Sequence, residues 1–185
     1  IDGKGQIADD YRIQKSLDTI RFLLDQNCSL IICSHLGRPD GKSDGKYSLE
    51  SVAGRLSELL EREVQFAGDC VGPVVKDQAS GLKQGQILLL ENLRFHAEEE
   101  ANDDDFAKQL AELAEIFVQD GFGVVHRAHA STDAITRHLP SVAGFLVEKE
   151  VDTITNVMDN PQRPLMAIIG GSKISDKIEL LNRFI

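Results

Sequence analysis

Positive charge, cysteine and long apolar runs are all scarce in this sequence, and each scarcity argues against a class of protein. The 185 residues contain 20 Lys and Arg against 30 Asp and Glu, which gives a formal net charge of −10. Proteins that bind nucleic acid regardless of sequence are normally basic, so we expect no nucleic-acid partner. No apolar run approaches the roughly 20 residues of a membrane span, and no signal-peptide pattern opens the chain. We therefore expect a soluble, cytoplasmic protein that does not bind membranes.

The three cysteines, Cys28, Cys33 and Cys70, do not form a recognisable cysteine motif. Their number is odd and no Cys-x-x-Cys pair occurs, so the sequence indicates neither a disulfide framework nor a zinc ribbon. Cys28 and Cys33 would face opposite sides of one strand, because successive strand residues alternate between faces. We expect buried or inert thiols in a reducing compartment.

What the chain does contain is an ordinary globular balance, with 42% hydrophobic and 27% charged residues. This predicts one domain, or one domain with part of another. Apolar periodicity predicts helices at 16–26, 48–60, 74–79, 102–114, 143–158 and from 172 onward. Short apolar runs predict strands at 30–34, 64–67, 87–91, 116–119 and 165–169. The alternation indicates an α/β fold with a doubly wound parallel sheet, a Rossmann-like three-layer α/β/α arrangement.

Basic side chains follow the predicted strands, usually in turn-rich segments. They are His35 and Arg38, then Arg94, then His126, Arg127 and His129, with Arg12 near the start of the chain. Farther on, Gly170 and Gly171 lead into Lys173 and Lys177, which share one helix face. The carboxyl ends of parallel strands meet at one edge of a sheet, so this placement predicts a site for a small polyanion.

Plainer interpretations of the same residues stay open. Arg38 could lie in an ordinary surface loop, Arg94 could pair with Glu91, and the two lysines could form a solvated face. The acidic segments 98–100 and 103–105 fit no calcium loop, and we expect a solvated loop with aspartates at a helix start. His126 and His129 lack further zinc ligands nearby, so we expect no metal site. There is no Walker A spacing and no nucleophile elbow. The chemistry indicated is charge stabilisation and positioning, as phosphoryl transfer requires.

Taken together, these segments resemble the phosphoglycerate kinase family, specifically its N-terminal domain and the start of its C-terminal domain. The similar segments, in the family's order, are DDYRI at 9–13, SHLGRP at 34–39, LENLRF at 90–95, DGFG at 120–123, HRAHAS at 126–131, PSVAG at 140–144 and IIGGSKISDK at 168–177. The resemblance extends over essentially the whole chain.

The resemblance implies a reaction and a set of roles. Enzymes of the family act in glycolysis and move a phosphoryl group between ATP and the carboxylate of 3-phosphoglycerate, giving 1,3-bisphosphoglycerate, with Mg²⁺ on the nucleotide. Carried over by motif, the basic patch for the glycerate comprises Arg12, His35, Arg38, Arg94, His126, Arg127 and His129. Arg12 would also stabilise the transferring group. Gly170, Gly171, Lys173 and Lys177 would face the nucleotide phosphates, with both lysines in catalytic roles.

The resemblance also predicts domain boundaries. Residues 1–142 would form the substrate-binding domain, residues 143–160 the interdomain helix and hinge, and residues 161–185 the start of the nucleotide-binding domain. The family's first strand and most of its nucleotide domain have no counterpart here. We therefore expect a fragment, monomeric in its parent enzyme and with little turnover of its own, whose sheet is weakened by the missing strand. The alternative is a non-catalytic anion-binding or interaction module derived from the substrate half.

Overall fold

The computed structural model describes residues 7–166 and residue 168, and helices and strands alternate along this part of the chain. The helices are α1 (Tyr11–Asp25), α2 (Glu50–Leu60), α3 (Pro73–Ser80), α4 (Ala97–Glu100), α5 (Asp104–Ala111) and α6 (Phe145–Asp159). The strands are β1 (Leu30–Ile32), β2 (Val64–Phe66), β3 (Ile87–Leu89), β4 (Phe117–Gln119) and β5 (Ser141–Ala143). Short 3₁₀ turns lie at Gly45–Tyr47, Leu93–Phe95, Phe122–Val124 and Ala134–Arg137.

All strand pairings among the described residues are parallel. β3 lies between β1 and β2, with Ile87 level with both Leu30 and Val64. β4 pairs with β5 in a second sheet. The connection from β1 to β2 contains α2, and the connection from β2 to β3 contains α3, as parallel strands require.

Helices cover both faces of the three-stranded sheet. On one face α1 and α2 pack against Leu30, Ile87 and Leu89. On the other face α3, α5 and the 134–137 turn pack against Leu88 and Leu90. β3 is buried from both sides, because Ile87, Leu88 and Leu89 are almost fully inaccessible to solvent. The α/β class with parallel strands and helices on both faces is therefore confirmed.

The five strands form two sheets, where the sequence predicts one. Among the residues that the structure describes, no strand bridges β1 and β4. The two parts are instead joined by helices, since α1 packs against α6 and the rings of Phe22 and Phe145 lie 5.0 Å apart.

Element boundaries differ from the sequence prediction where side chains are exposed. α1 begins at Tyr11 instead of residue 16: four of the five added residues are exposed, although Ile13 extends the apolar spacing of Leu17 by one turn. β5 is missed by the sequence analysis, which includes Ala143 in the helix after Pro140. All three β5 residues are exposed, so they lack a buried-strand pattern. The strand predicted at 165–169 lies partly outside the described residues, and the helix predicted from 172 lies wholly outside them.

The cysteines are placed as expected. Cys28 packs with the cluster beneath α1 and α2, whereas Cys33 packs with the cluster beneath α3 and α5, so the two lie on opposite faces of the sheet. All three thiols are free. Burial raises the pKa of Cys33 to about 12, so this thiol is unreactive at neutral pH. No helix in the described part of the chain has the length and apolar character needed to span a membrane.

Candidate anion-binding site

Three loops leave the carboxyl ends of β1, β3 and β4, and they carry most of the basic residues predicted to bind a ligand. Residues 33–40 follow β1, residues 90–96 follow β3, and residues 120–131 follow β4. The first two loops are joined directly, because the Leu93 amide donates to the Ser34 carbonyl oxygen at 3.1 Å. The carboxyl edge of the three-stranded sheet thus brings together two loops that are distant in sequence, and the third loop comes from the second sheet.

Asn92 joins the loop after β3 to the loop after β1. Its side chain is fully buried, and its amide group donates to the carbonyl oxygens of Leu36 at 2.8 Å and Tyr47 at 2.9 Å. Its carbonyl oxygen accepts from the amides of Leu36 at 3.2 Å and Arg94 at 3.1 Å. One side chain therefore sets the positions of Leu36, directly after His35, of Tyr47, and of the start of the Leu93–Phe95 turn.

Arg94 is buried, and its bonding supports the loop that carries Arg38. Its guanidinium group donates from Nη1 to the Gly37 carbonyl oxygen at 2.8 Å. Its Nε lies 3.3 Å from Glu100 Oε1, an ion pair by distance, although the geometry gives Nε no hydrogen bond. The attraction between the two charges does not require a linear N–H. The sequence alternative that pairs Arg94 with Glu91 is wrong: Glu91 accepts from Ser48 Oγ at 2.7 Å and from the Leu49 amide at 2.9 Å.

Gly37 permits the close approach between this loop and the Gly45–Tyr47 turn. Its φ is +65°, in the left-handed region where residues with a Cβ are strained. A Cβ at this position would also collide with the ring of Tyr47. The glycine is therefore required both by the backbone turn and by the packing.

Glu99 holds the loop after β4. This carboxylate is 2% exposed and accepts from Ser131 twice, from the amide at 3.0 Å and the hydroxyl at 2.6 Å. His129 Nδ1 lies 3.7 Å from Glu99 Oε1, and Thr132 Oγ1 donates to the Arg127 carbonyl oxygen at 2.6 Å. The prediction that the acidic segment 98–100 is solvated is wrong for Glu99, because the hydrogen bonds from Ser131 hold its carboxylate in a buried position.

The prediction that aspartates lie at the start of a helix is confirmed. Asp103 Oδ1 accepts a hydrogen bond from the Phe106 amide at 2.8 Å at the start of α5.

The pKa of His35 depends on basic side chains from the loops after β3 and β4. Burial, and then the charges of Arg94, His129 and Arg127, lower its pKa from 6.5 to about 4, while Glu100 opposes the shift. Arg94, His129 and Arg127 are thus close enough to His35 for their charges to oppose its protonation. At neutral pH the imidazole is uncharged, and it offers hydrogen bonds to a ligand without adding charge.

The other predicted site residues are more exposed. Arg12 lies in the first turn of α1, Arg38 lies in the loop after β1, and His126 follows the 3₁₀ turn after β4. Because α1 leads through four residues into β1, it runs antiparallel to that strand, and Arg12 lies toward the carboxyl edge of the sheet. Arg12, Arg38 and Arg127 form no ion pair with any residue that the structure describes.

Sequence reasoning missed the residues that position these cations. Asn92 lies inside the LENLRF segment beside Arg94, and Glu99 lies in the acidic segment 98–100. For Asn92 the available signal is its place directly after a buried strand, beside Glu91. Glu99 stands among exposed acidic neighbours, and no local pattern separates it from them. The predicted nucleotide-side residues Gly170, Gly171, Lys173 and Lys177 lie outside the described residues.

Comparison with known proteins identifies the family. The family model for phosphoglycerate kinase matches residues 1–185. The chain belongs to the phosphoglycerate kinase family. It is 52% identical over 185 residues to a phosphoglycerate kinase of Coprothermobacter proteolyticus, covering 100% of this chain and 47% of that protein. It is 55% identical over 182 residues to a phosphoglycerate kinase of Chlorobium phaeobacteroides, covering 98% and 46%.

Solved structures of this family agree with the fold. The phosphoglycerate kinase of Coxiella burnetii is 39% identical with a TM-score of 0.85, and the match covers 98% of this chain and 46% of that one. The Pyrococcus horikoshii phosphoglycerate kinase is 30% identical with the same TM-score of 0.85, again over 98% and 46%. The predicted family is confirmed, and the chain spans about half the length of the curated relatives it matches.

Proposed function

We propose that the basic edge of the sheet binds 3-phosphoglycerate, as part of an enzyme that transfers a phosphoryl group between ATP and the carboxylate of this acid. The observation that carries the proposal is the grouping of Arg94, Arg127 and His129 around His35 in a chain of net charge −10. Cations gathered at one place in an acidic protein need an anionic partner, and a phosphorylated carboxylic acid supplies two anionic groups.

The proposed roles follow from exposure. Arg38 and Arg127 would contact the phosphate directly, because Arg38 is exposed and Arg127 is half-buried beside His35. Arg94 is buried and would add positive charge next to the ligand site. Its hydrogen bond to the Gly37 carbonyl oxygen would keep the loop in a conformation in which Arg38 can contact the ligand. His35, His126 and His129 would donate or accept hydrogen bonds around the ligand. Arg12 would act on the transferring phosphoryl group.

The nucleotide would be ATP or ADP with Mg²⁺, held by Gly170, Gly171, Lys173 and Lys177 on the other side of a cleft. Phosphoryl transfer of this kind needs little covalent chemistry from the protein, so positioning and charge stabilisation would supply most of the rate. Residues 1–142 would be the substrate domain, residues 143–160 the hinge, and residues 161–185 the start of the nucleotide domain. Closure at the hinge would exclude water and align the carboxylate with the phosphate.

Calorimetric titration of 3-phosphoglycerate into the chain tests the substrate assignment. Arg38→Ala and Arg127→Ala are each expected to weaken binding by about 10- to 100-fold, because each removes charge-assisted hydrogen bonds worth about 1.5–3 kcal/mol. Arg21→Ala is the matched control, since Arg21 lies on α1 and donates to the Leu59 carbonyl oxygen at 3.1 Å, away from the loops. Equal affinity for the wild type and both loop variants would refute the assignment.

A further inference from the structure

Asp69, Cys70 and His96, all of residue types that bind metals, form a cluster of side chains that the proposed function does not use. Asp69 and Cys70 follow β2, and His96 follows the turn after β3, so adjacent parallel strands bring them to the same edge of the sheet. One carboxylate oxygen, the thiol sulfur and one imidazole nitrogen all lie within 4.8 Å of one another. No other group of three His, Cys, Asp or Glu side chains within residues 7–166 and 168 lies this close together.

The donor set suits a borderline metal cation. Zinc binds cysteine sulfur, histidine nitrogen and carboxylate oxygen, whereas Mg²⁺ and Ca²⁺ take oxygen ligands almost exclusively. Tetrahedral zinc with bonds of about 2.0–2.3 Å places neighbouring ligand atoms about 3.5 Å apart. Asp69 Oδ1 and His96 Nε2 lie 2.7 Å apart in the structure. To bind zinc, these side chains would have to move apart by about 1 Å.

The three side chains of this cluster differ in their burial and in the residues that they contact. Cys70 is fully buried in the cluster beneath α3 and α5, and its amide donates to Asp69 Oδ1 at 2.7 Å. The His96 ring lies against Phe106, with centroids 5.2 Å apart. Asp69 and His96 are partly exposed, with side-chain exposures of 54% and 28%. Solvent therefore reaches the cluster through Asp69 and His96, which leaves an entry path for an ion.

We propose that Asp69, Cys70 and His96 bind Zn²⁺ or a similar thiophilic divalent cation, with water completing the coordination. Binding breaks the S–H bond of Cys70, forms a metal–sulfur bond and passes the proton to a buffer base. The ion replaces the hydrogen bond between Asp69 and His96. It joins the loop after β2 to the segment that carries Arg94, and so restrains one side of the basic edge. This inference is independent of the proposed function.

Metal titration of the 185-residue chain tests the inference. After treatment with EDTA and removal of the chelator, Zn²⁺ affinity is measured by competition with a chromophoric chelator, and Co²⁺ is added as a spectroscopic probe. We expect about one ion per chain, and Co²⁺ is expected to show a sulfur-to-metal charge-transfer band with the strong visible bands of tetrahedral coordination. Cys70→Ser, His96→Asn and Asp69→Asn should each weaken Zn²⁺ binding by about 100-fold or more, since even a supporting partner contributes about 10- to 100-fold.

Two matched controls separate the site from adventitious binding. Cys28→Ser removes a thiol on the opposite face of the sheet, and His138→Asn disrupts a second His–Asp pair, His138 with Asp104 at 3.2 Å, which is not part of any described metal-ligand cluster. Both should leave Zn²⁺ affinity unchanged. If Cys70→Ser does not fold, the partly exposed His96 and Asp69 variants still decide the question. Absence of the charge-transfer band, or equal affinity in the site and control variants, overturns the proposal.

Discussion

His35 is the residue whose titration reports most directly on the surrounding cations. Its pKa in the folded chain is about 4, against 6.5 for an unperturbed histidine. Between these two values the unfolded chain binds a proton that the folded chain does not, so the free energy of unfolding falls as pH decreases through this window. Above about pH 6.5 the penalty is absent, and below about pH 4 it is complete.

We therefore expect His35→Gln to flatten the loss of stability between about pH 6.5 and pH 4. Urea unfolding across this range measures the slope, and the imidazole shifts in NMR spectra give the pKa itself. His138→Gln serves as the control, because His138 shares Asp104 with Arg137 and belongs to none of the three basic loops. A His35 resonance that titrates near 6.5 would contradict the grouping of cations around it.

Asn92 is expected to be among the most sensitive residues for stability. Asn92→Ala removes four hydrogen bonds and leaves the carbonyl oxygens of Leu36 and Tyr47 without this partner. We expect a loss of about 3 kcal/mol in the free energy of unfolding. Chemical denaturation measures it, and Asn156→Ala, at an exposed position of α6, should change stability by less than about 0.5 kcal/mol. A cost below about 1 kcal/mol for Asn92→Ala would show that Asn92 does not hold the two loops together.

For individual residues, the sequence predicts which side chains supply positive charge, but it does not predict which buried side chains fix the positions of those cations. His35, Arg94, Arg127 and His129 are recognisable because cations follow strands in an acidic chain. The buried roles of Asn92 and Glu99 depend on partners 32 to 56 residues away. Local patterns contain no information about such partners, because register and loop packing decide them.

At the scale of elements, the start of α6 depends on two side chains from other parts of the fold. Thr19 Oγ1, on α1, accepts from the Phe145 amide at 3.0 Å, and Asp120 Oδ1, after β4, accepts from the Leu146 amide at 2.8 Å. These bonds satisfy amides that a helix cannot pair internally, and the carboxylate lies favourably at the positive end of the helix. They connect the proposed hinge helix to the loop that leads to Arg127.

Asp120→Ala is expected to lower the free energy of unfolding by about 1–2 kcal/mol, as loss of a capping side chain does. Asp120→Asn should cost less, because its amide oxygen can still accept from Leu146. Thermal and urea unfolding measure both variants, with Asp152→Ala on the exposed part of α6 as the control. Equal stabilities for Asp120→Ala and the control would mean that α6 does not need this cap.

Element prediction succeeds where burial is strong and fails where it is weak. β3 is predicted because Ile87, Leu88 and Leu89 form an apolar run buried on both faces. β5 is exposed throughout, so it lacks the apolar spacing that defines an element in sequence, whereas in the first turn of α1 Ile13 alone carries that spacing. Tertiary pairing with β4, not local preference, makes Ser141–Ala143 a strand.

For the whole molecule, the alternation of helices and strands along the sequence predicts the α/β class. The same alternation does not predict the order of the strands in a sheet. The order β1–β3–β2 and the separate β4–β5 pair follow from packing between elements distant in sequence. The meeting of the loops that carry His35 and Arg94 is nevertheless predictable, because β1 and β3 are parallel and share one carboxyl edge whatever the strand order. The loop that carries Arg127 follows β4 in the second sheet, so its approach to His35 depends on packing between elements.

The central claim is that the arginines at this edge bind one phosphorylated ligand together. Arginine Nε–Hε resonances, followed by NMR while 3-phosphoglycerate is added, test it most directly. We predict that Arg38, Arg94 and Arg127 shift along one common saturation curve. Arg21 and Arg62 should stay unchanged, because Arg21 bonds the Leu59 carbonyl and Arg62 bonds the Gly85 carbonyl at 2.9 Å. Shifts that are absent, spread over all five arginines, or saturating at different ligand concentrations would contradict a single shared site.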